Sequence, residues 1–188
     1  MSVADVLLRL RELDQLVVLA HQQAGERGET EVWRGLGYKL EGAPVLTSMD
    51  ELLEILSVPS RITPIPGTQR WMLGFVSLQG ELLTVVDLEC FLGGELMQLN
   101  DSSKMLVMRD RGQFFGLVVH DVLGIQRFQS RDMKSFERLE IHRDVFTFNK
   151  FDHEETEWPI ISMAALLNDK RFRQSAMDSY SVPSQLQP

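Results

Sequence analysis

ITPIPGTQRWMLGFVSLQGELLTVVDLECFLGG, residues Ile62–Gly94, carries most of the information about the fold. It opens with a proline loop, since Pro64 and Pro66 cannot lie in a central strand. Two apolar runs, Trp71–Leu78 and Glu81–Val86, follow with a single glycine at their junction. This order predicts two β-strands joined by a tight turn.

Three residues of this stretch are predicted to have special backbone or capping roles. Gly74 lies inside a strand pattern, where glycine typically marks a bulge or a close approach of another backbone. Gly80 is predicted to give the turn a positive φ. Asp87 is predicted to hydrogen-bond its own backbone or to cap the segment that follows. On the residues alone, all three can simply build the corner of a small barrel.

The same sequence pattern continues on both sides of this stretch, with short apolar runs separated by Gly, Pro, Asn and Asp. The further predicted strands are Leu36–Leu40, Val45–Thr47, Lys104–Arg109, Gln113–His120, Val122–Gln126, Val145–Phe151 and Trp158–Ile161. A helical turn and a strand are predicted within Met49–Leu56, and a short helix begins at Met163. Many short strands at such spacing favour a closed or nearly closed β architecture. Two blocks of strands, joined at about residues 90–104, suggest two small barrels.

The two ends of the chain differ from this β region. Residues 2–24 are predicted to form an amphipathic helix, because apolar residues recur every three or four positions. These are Val3, Val6, Leu7, Leu10, Leu13, Val17 and Ala20. The helix either packs on a barrel or lies in a groove of a partner. We therefore expect a helix and linker over residues 1–34, a β domain over 35–174 and a disordered tail over 175–188.

Composition limits the classes of protein and partner. The 188 residues carry a formal net charge of −8, which argues against binding nucleic acid or anionic lipid. The sequence shows no secretory signal and no apolar stretch long enough to span a membrane. Cys90 is the only cysteine, so a reducing, cytoplasmic location is expected. A basic stretch over residues 127–138 contrasts with an acidic turn over residues 152–157.

No residue pattern indicates catalysis, a metal or a cofactor. His120 and Asp121 are neighbours on a predicted strand, so they point to opposite faces and cannot act as base and orienting acid. His142 and His153 have no Cys or His at ligand spacing. The acidic turn lacks the alternating ligands and fixed glycine of a calcium loop. A small hydrolase or ligand-binding barrel, with His120 as its key residue, remains an alternative of another class.

Taken together, the motifs resemble the CheW family of chemotaxis coupling proteins. The matching residues are Ile65-Pro66, Trp71, Gly74, Gln79-Gly80 and Asp87-Leu88, with Leu52-x-Glu54-Ile55 upstream and Gly116-Leu117-Val118-Val119 downstream. Trp158–Leu167 resembles the closing strand and helix of the family. The resemblance covers about residues 35–170.

The resemblance implies a mainly β, CheW-like fold of two small five-stranded barrels that share a hydrophobic core, with an N-terminal helix and a short C-terminal helix. It implies a non-enzymatic adaptor that joins the regulatory domain of a CheA-type histidine kinase to the cytoplasmic tip of methyl-accepting chemoreceptors. A groove between the barrels would hold the receptor tip, and barrel ends would meet the kinase. Such a protein works in the cytoplasm, at membrane-associated receptor arrays that it reaches through its partners.

The resemblance also assigns roles to individual residues. The partner-binding candidates are Leu52, Glu54, Phe75, Leu78, Gln79, Gly80 and Leu88, and the structural motif residues are Pro66, Trp71, Gly74, Asp87 and Gly116. Core packing is the alternative for Leu52, Phe75 and Leu88. Exposure without a partner is the alternative for Glu54 and Gln79.

Two features depart from the family pattern. Gln79 replaces the family's arginine, which is a recognition residue, and Gln lacks the charge and the bidentate fork of Arg. Thr84 replaces the usual proline of the next strand. The additional N-terminal helix, together with Trp33–Tyr38, is similar to the CheW-like adaptors of type IV pilus (twitching motility) systems. A coupling protein of flagellar chemotaxis is the alternative within the family.

Overall fold

The computed structural model describes residues 31–136, 146–153 and 155–173. The predicted helix over residues 2–24 and the predicted tail from residue 175 lie outside the described residues. The described strands are β1 (Val32–Leu40), β2 (Ala43–Ser48), β3 (Glu54–Ser57), β4 (Met72–Leu78), β5 (Glu81–Asp87), β6 (Lys104–Asp110), β7 (Gln113–Gln129), β8 (Lys134–Ser135), β9 (Thr147–His153) and β10 (Thr156–Ile161). Two short helices, α1 (Leu88–Phe91) and α2 (Met163–Asn168), follow β5 and β10. The mainly β prediction is confirmed.

The strands form two connected sheets. The first has the order β7-β1-β2-β10-β9-β8, and the second has the order β3-β6-β7-β5-β4. Each sheet takes strands from both blocks of sequence. The connection at residues 90–104 therefore joins two strands of the second sheet, β5 and β6, and does not separate one sheet from the other.

Strand β7 belongs to both sheets. Its first half pairs with β6 and β5, whereas its second half pairs with β1. Between the halves, Asp121 and Gly124 have φ values of 44° and 86°, and the pairing with β1 shifts register between Gly37 and Lys39. Such bulges bend a strand and increase its twist. The two strands predicted over 113–120 and 122–126 are thus one bent strand that connects the sheets.

Gly74 allows the proline loop to lie against β4. A Cβ atom on Gly74 would be 2.0 Å from the carbonyl oxygen of Thr63, and its φ is 136°. Thr63 and Phe75 exchange two backbone hydrogen bonds of 2.8 Å at this point. The predicted close approach and bulge are confirmed, since the β4–β5 register shifts between Met72 and Gly74. The loop reaches this position through a turn at Pro66 and Gly67, whose φ is 80°.

The larger hydrophobic core is shared by the two sheets. It contains Leu36, Tyr38 and Leu40 of β1, Leu106 and Met108 of β6, Phe115 and Leu117 of β7, and Leu166 of α2. Trp71 packs against this core, with its ring 5.0 Å from that of Phe91 and stacked at 6.0 Å on Phe172. The two sheets therefore share one hydrophobic core, as predicted, and the arrangement of strands is compatible with two barrels.

A second, smaller core lies within the second sheet. Its buried residues are Val76, Leu83, Val85, Met105, Val107 and Val118. Gly116 faces Met105, and a Cβ atom on Gly116 would lie 2.4 Å from the Met105 sulfur. Gly116 therefore leaves the space that the Met105 side chain occupies.

Asp87 caps α1, as the sequence predicts. Its carboxylate is fully buried, and Oδ1 accepts a hydrogen bond of 2.9 Å from the backbone N–H of Cys90. Oδ2 accepts a second bond, of 2.7 Å, from the backbone N–H of Met97. One side chain thus fixes both the start of α1 and the connection that leads to β6.

Candidate functional site

Two hairpin turns lie side by side at one end of the second sheet. Gln79 and Gly80 join β4 to β5 with φ values of 51° and 89°, and Arg111 and Gly112 join β6 to β7 with 48° and 86°. β5 and β7 run parallel, with Leu83 opposite Phe114. The turns that lead into these two strands therefore lie at the same end of the sheet. Consecutive positive φ values are typical of the turns that match the twist of a hairpin. The predicted turn at Gly80 is confirmed.

The start of β3 lies at the same end. Glu54 is opposite Val107 of β6, and the backbone N–H of Leu53 donates a 2.8 Å hydrogen bond to the Val107 carbonyl oxygen. From there, β6 runs on to the turn at Arg111. We call this surface, formed by Leu53, Glu54, Gln79, Gly80, Leu82 and Arg111, the turn end.

The turn end combines exposed apolar side chains with polar ones. Leu53 is 60% exposed and Leu82 is 44% exposed, although large apolar residues are usually buried. Glu54, Gln79 and Gly80 are also exposed. Apolar residues in a polar rim are typical of a surface that binds another protein.

The structure brings five of the seven predicted partner-binding residues to this end of the sheet. Glu54, Gln79 and Gly80 belong to the turn end itself. Leu52 and Leu78 lie next to it and are half-buried, Leu52 against the shared core and Leu78 against the smaller core. Their side chains therefore support the surface from beneath.

Phe75 lies on a different surface. It is half-buried and pairs with Thr84, which in turn pairs with Phe115 of the shared core. Directly paired residues occupy the same face of a sheet. Phe75 thus faces the side on which the two sheets meet, away from the smaller core.

Leu88, another of the predicted partner-binding residues, lies in the interior of the structure. Its side chain is 0% exposed and belongs to the shared core. Asp87 starts α1 at this point, and the first helical residue turns inward. The core-packing alternative therefore holds for Leu88.

Comparison with known proteins agrees with this fold. The model of the CheW-like domain family matches residues 34–171. The chain belongs to the CheW family. Protein PilI of Pseudomonas aeruginosa is 33% identical to it over 141 residues, which cover 74% of this chain and 78% of PilI. The crystal structure of the scaffolding protein TtCheW from Thermoanaerobacter tengcongensis superposes with a TM-score of 0.67 at 18% identity, covering 77% of this chain and 94% of that one.

CheW-family proteins are scaffolds and adaptors, not enzymes, and this CheW-like chain has the fold of that family. Across residues 31–136, 146–153 and 155–173, no group of three His, Cys, Asp or Glu side chains is placed to hold a metal ion. No helix in that part of the chain is long and apolar enough to cross a membrane.

His120 and Asp121 have separate partners. His120 Nδ1 lies 3.0 Å from the hydroxyl of Ser103, which accepts a 3.0 Å hydrogen bond from the backbone N–H of Asn100. The Asp121 carboxylate lies 3.7 Å from Lys39. The histidine therefore holds the connection before β6, and the pair does not form the base and orienting acid that hydrolysis would need.

Sequence reasoning missed three residues of the turn end. These are Leu53, Leu82 and Arg111. An exposed leucine next to strand residues has the same residue type as a core leucine, and no motif distinguishes Arg111 from other exposed arginines. Leu82 lies at the exposed start of β5, and its neighbour Leu83 is 1% exposed and belongs to the smaller core, so residue type alone does not separate the two. For Leu53 no pattern of alternation helps, because β3 contains only 4 residues.

The basic stretch and the acidic turn meet on the first sheet. Lys134 Nζ lies 2.7 Å from Asp152 Oδ2, and Lys150 Nζ lies 3.1 Å from Asp152 Oδ1. Lys150 also donates a hydrogen bond to Glu157. Asp152 and Glu157 lie in strands β9 and β10, not in a turn as predicted. These charges neutralise one another, so they are less available to steer a partner.

This charge cluster predicts a pH dependence of stability. Hydrogen bonds from Lys134 and then Lys150 lower the pKa of Asp152, and hydrogen bonds to Glu157 and then Asp152 raise the pKa of Lys150. Asp152 therefore contributes stability above its ordinary pKa of 3.8, and the contribution is lost as the pH falls through the lowered value. Lys150 contributes below its ordinary pKa of 10.5, and that contribution is lost as the pH rises through the raised value.

Replacing Lys150 with methionine should lower the melting temperature slightly at pH 7, because Asp152 and Glu157 lose a shared cation. The difference from the parent protein should shrink as the pH falls through the lowered pKa of Asp152, where that carboxylate becomes protonated. Thermal unfolding of both proteins at pH 7 and at about pH 2 measures this. Lys39→Met, which affects only a 3.7 Å exposed contact, is the control. An equal difference at both pH values would contradict the assignment.

Proposed function

We propose that this CheW-like protein is a non-enzymatic adaptor that couples a CheA-type histidine kinase to methyl-accepting chemoreceptors in an array controlling type IV pilus twitching motility. The main support is the 33% identity to PilI over 74% of the chain. The proposal needs no catalytic group, and it needs a rigid scaffold with more than one contact surface.

The turn end is the surface that we assign to the regulatory domain of the kinase. Leu53 and Leu82 supply apolar area, and the hairpins hold Gln79 and Arg111 at their tips. Tight hairpins lose little conformational entropy on binding, which favours affinity. Gln79 offers hydrogen bonds without the charge of the family's arginine, so the matching surface of the kinase need not provide a carboxylate at that point.

The region around Phe75 is the surface that we assign to the receptor tip. Phe75 lies half-buried on the side where the sheets meet. A helical tip can place apolar residues against such a surface. The two assignments give each partner its own surface, so that both can bind at once.

We expect Leu82→Asp to weaken binding of the kinase regulatory domain by roughly 10- to 100-fold, as for a central interface residue. Its melting temperature should stay within a few degrees of the parent, since the side chain is 44% exposed. Calorimetric titration with the kinase domain measures the affinity. Leu99→Asp is the matched control, because Leu99 is 43% exposed but precedes β6 at the opposite end.

The same titration tests the whole proposal. If the folded parent protein binds neither the kinase regulatory domain nor the receptor tip, the adaptor function is wrong. If Leu99→Asp weakens the kinase complex as much as Leu82→Asp, the adaptor function survives and the assignment of the turn end fails. Deleting the gene should abolish twitching; loss of swimming instead would assign the protein to flagellar chemotaxis.

A further inference from the structure

Two arginines face each other on the outer surface of the first sheet. Arg34 of β1 is directly opposite Arg127 of β7, and both are exposed. Neither has a hydrogen-bond or ion-pair partner in the part of the chain that the structure describes. Like charges directly opposite each other in a sheet are destabilising. The arrangement therefore lacks the anion that would offset the repulsion.

Apolar side chains flank this pair on the same face. Val32, two residues before Arg34, is 45% exposed, and Ile125, two residues before Arg127, is 56% exposed. Residues two apart on a strand share a face. We call these four residues, Val32, Arg34, Ile125 and Arg127, the β1–β7 face.

The β1–β7 face continues into the shared core. Ile125 pairs with Leu36, which is 2% exposed and belongs to that core. Among the described strands, β1 is the only one that pairs with β7 beyond residue 120. The β1–β7 face therefore lies at an edge of the first sheet. A segment that covers this face would need apolar side chains for Val32 and Ile125 and a carboxylate for the two arginines.

We propose that residues 10–20 of the N-terminal segment of this same chain cover the β1–β7 face. The segment joins the fold at this place, because the Glu31 carbonyl oxygen accepts a 2.9 Å hydrogen bond from Ser130 at the end of β7. The six linker residues 25–30 reach about 20 Å when extended. The face from Val32 to Leu36 is only about 13 Å long. The linker is therefore long enough to turn the segment back along β1.

The chemistry of the segment complements the face. Leu10, Leu13, Val17 and Ala20 form the apolar stripe of the predicted helix. Asp14 follows Leu10 by four residues and precedes Val17 by three, so in a helix it lies beside them. A carboxylate in an apolar contact is costly unless it is paired. Arg34 and Arg127 supply the missing cations, and Asp14 supplies the missing anion.

A disulfide trap tests the position of the segment in the full-length chain. Val17→Cys and Ile125→Cys are combined in a Cys90→Ser background, and mild oxidation removes two electrons and two protons to form the bond. We expect an intramolecular disulfide in most molecules. The pair Val17→Cys and Ser77→Cys, on the exposed part of β4, is the control that should stay reduced. Circular dichroism verifies that each variant is folded.

Charge reversal tests the pairing itself. Arg127→Glu should speed amide exchange of residues 10–20 at least about tenfold, and adding Asp14→Arg should restore slow exchange. A disulfide between two copies would overturn the proposal in favour of a dimer contact, and an absent disulfide or an unchanged exchange rate would overturn it outright. The proposal concerns a contact within one chain, so it stands or falls independently of the kinase and receptor.

Discussion

Gly74→Ala is expected to destabilise the protein by about 4 kcal/mol, from backbone strain and two lost hydrogen bonds. The added Cβ would lie 2.0 Å from the carbonyl oxygen of Thr63, a distance that no side-chain adjustment relieves because the obstacle is backbone. The proline loop must then move away from β4. Both 2.8 Å bonds between Thr63 and Phe75 are lost when it does.

Urea unfolding followed by tryptophan fluorescence measures this loss, since Trp71 lies at the end of the same loop. Gly42→Ala is the matched control, because Gly42 also has a positive φ of 79° but has open space at its Cβ position. The control isolates backbone strain, which costs roughly 1–2 kcal/mol for a residue with a Cβ atom in the left-handed region. If Gly74→Ala costs no more than Gly42→Ala, the close approach of the loop does not stabilise the fold.

The Gly74 variant also bears on function. Phe75 loses the loop that is hydrogen-bonded to it, whereas the turn end is held by the β4–β5 and β5–β7 pairings. At a temperature where the variant is still folded, we therefore expect weaker binding of the receptor tip and nearly unchanged binding of the kinase domain. Equal weakening of both complexes would show that the two surfaces are not independent.

Features set by a few consecutive residues could be predicted from the sequence. The turn at Gly80, the bulge at Gly74 and the cap at Asp87 each depend on a local backbone requirement that one residue type meets. Strand β7 shows the opposite case. Its two halves could be read as strands, but their pairing in different sheets depends on partners far away in the sequence.

The candidate site shows the same division. Glu54, Gln79 and Gly80 came from the family pattern, and the register of β3, β6, β7 and β5 brings them to one end. Leu88 and Leu53 are the same residue type, yet Leu88 is 0% exposed and Leu53 is 60% exposed. Phe172 likewise could not be assigned from the sequence, since only the tertiary structure shows that its side chain is buried in the shared core.

Asp87→Ala is expected to cost about 3 kcal/mol, because two hydrogen bonds to a buried carboxylate disappear and two partly buried N–H groups lose their acceptor. The N–H groups belong to Cys90 and Met97, so both α1 and the connection to β6 are affected. Asp87→Asn should be intermediate. Its amide keeps one acceptor oxygen, while its NH₂ group must face the other N–H donor.

Urea unfolding of the two variants measures the loss, and amide exchange at Cys90 and Met97 reports each bond separately. Asp110→Ala is the control, since Asp110 only lies 3.9 Å from the exposed Arg111 at a turn. Parent-like stability of Asp87→Asn would show that one of the two bonds contributes nothing. Because α1 places Leu88 and Phe91 in the core shared by both sheets, loss of its cap should destabilise the whole domain in one transition.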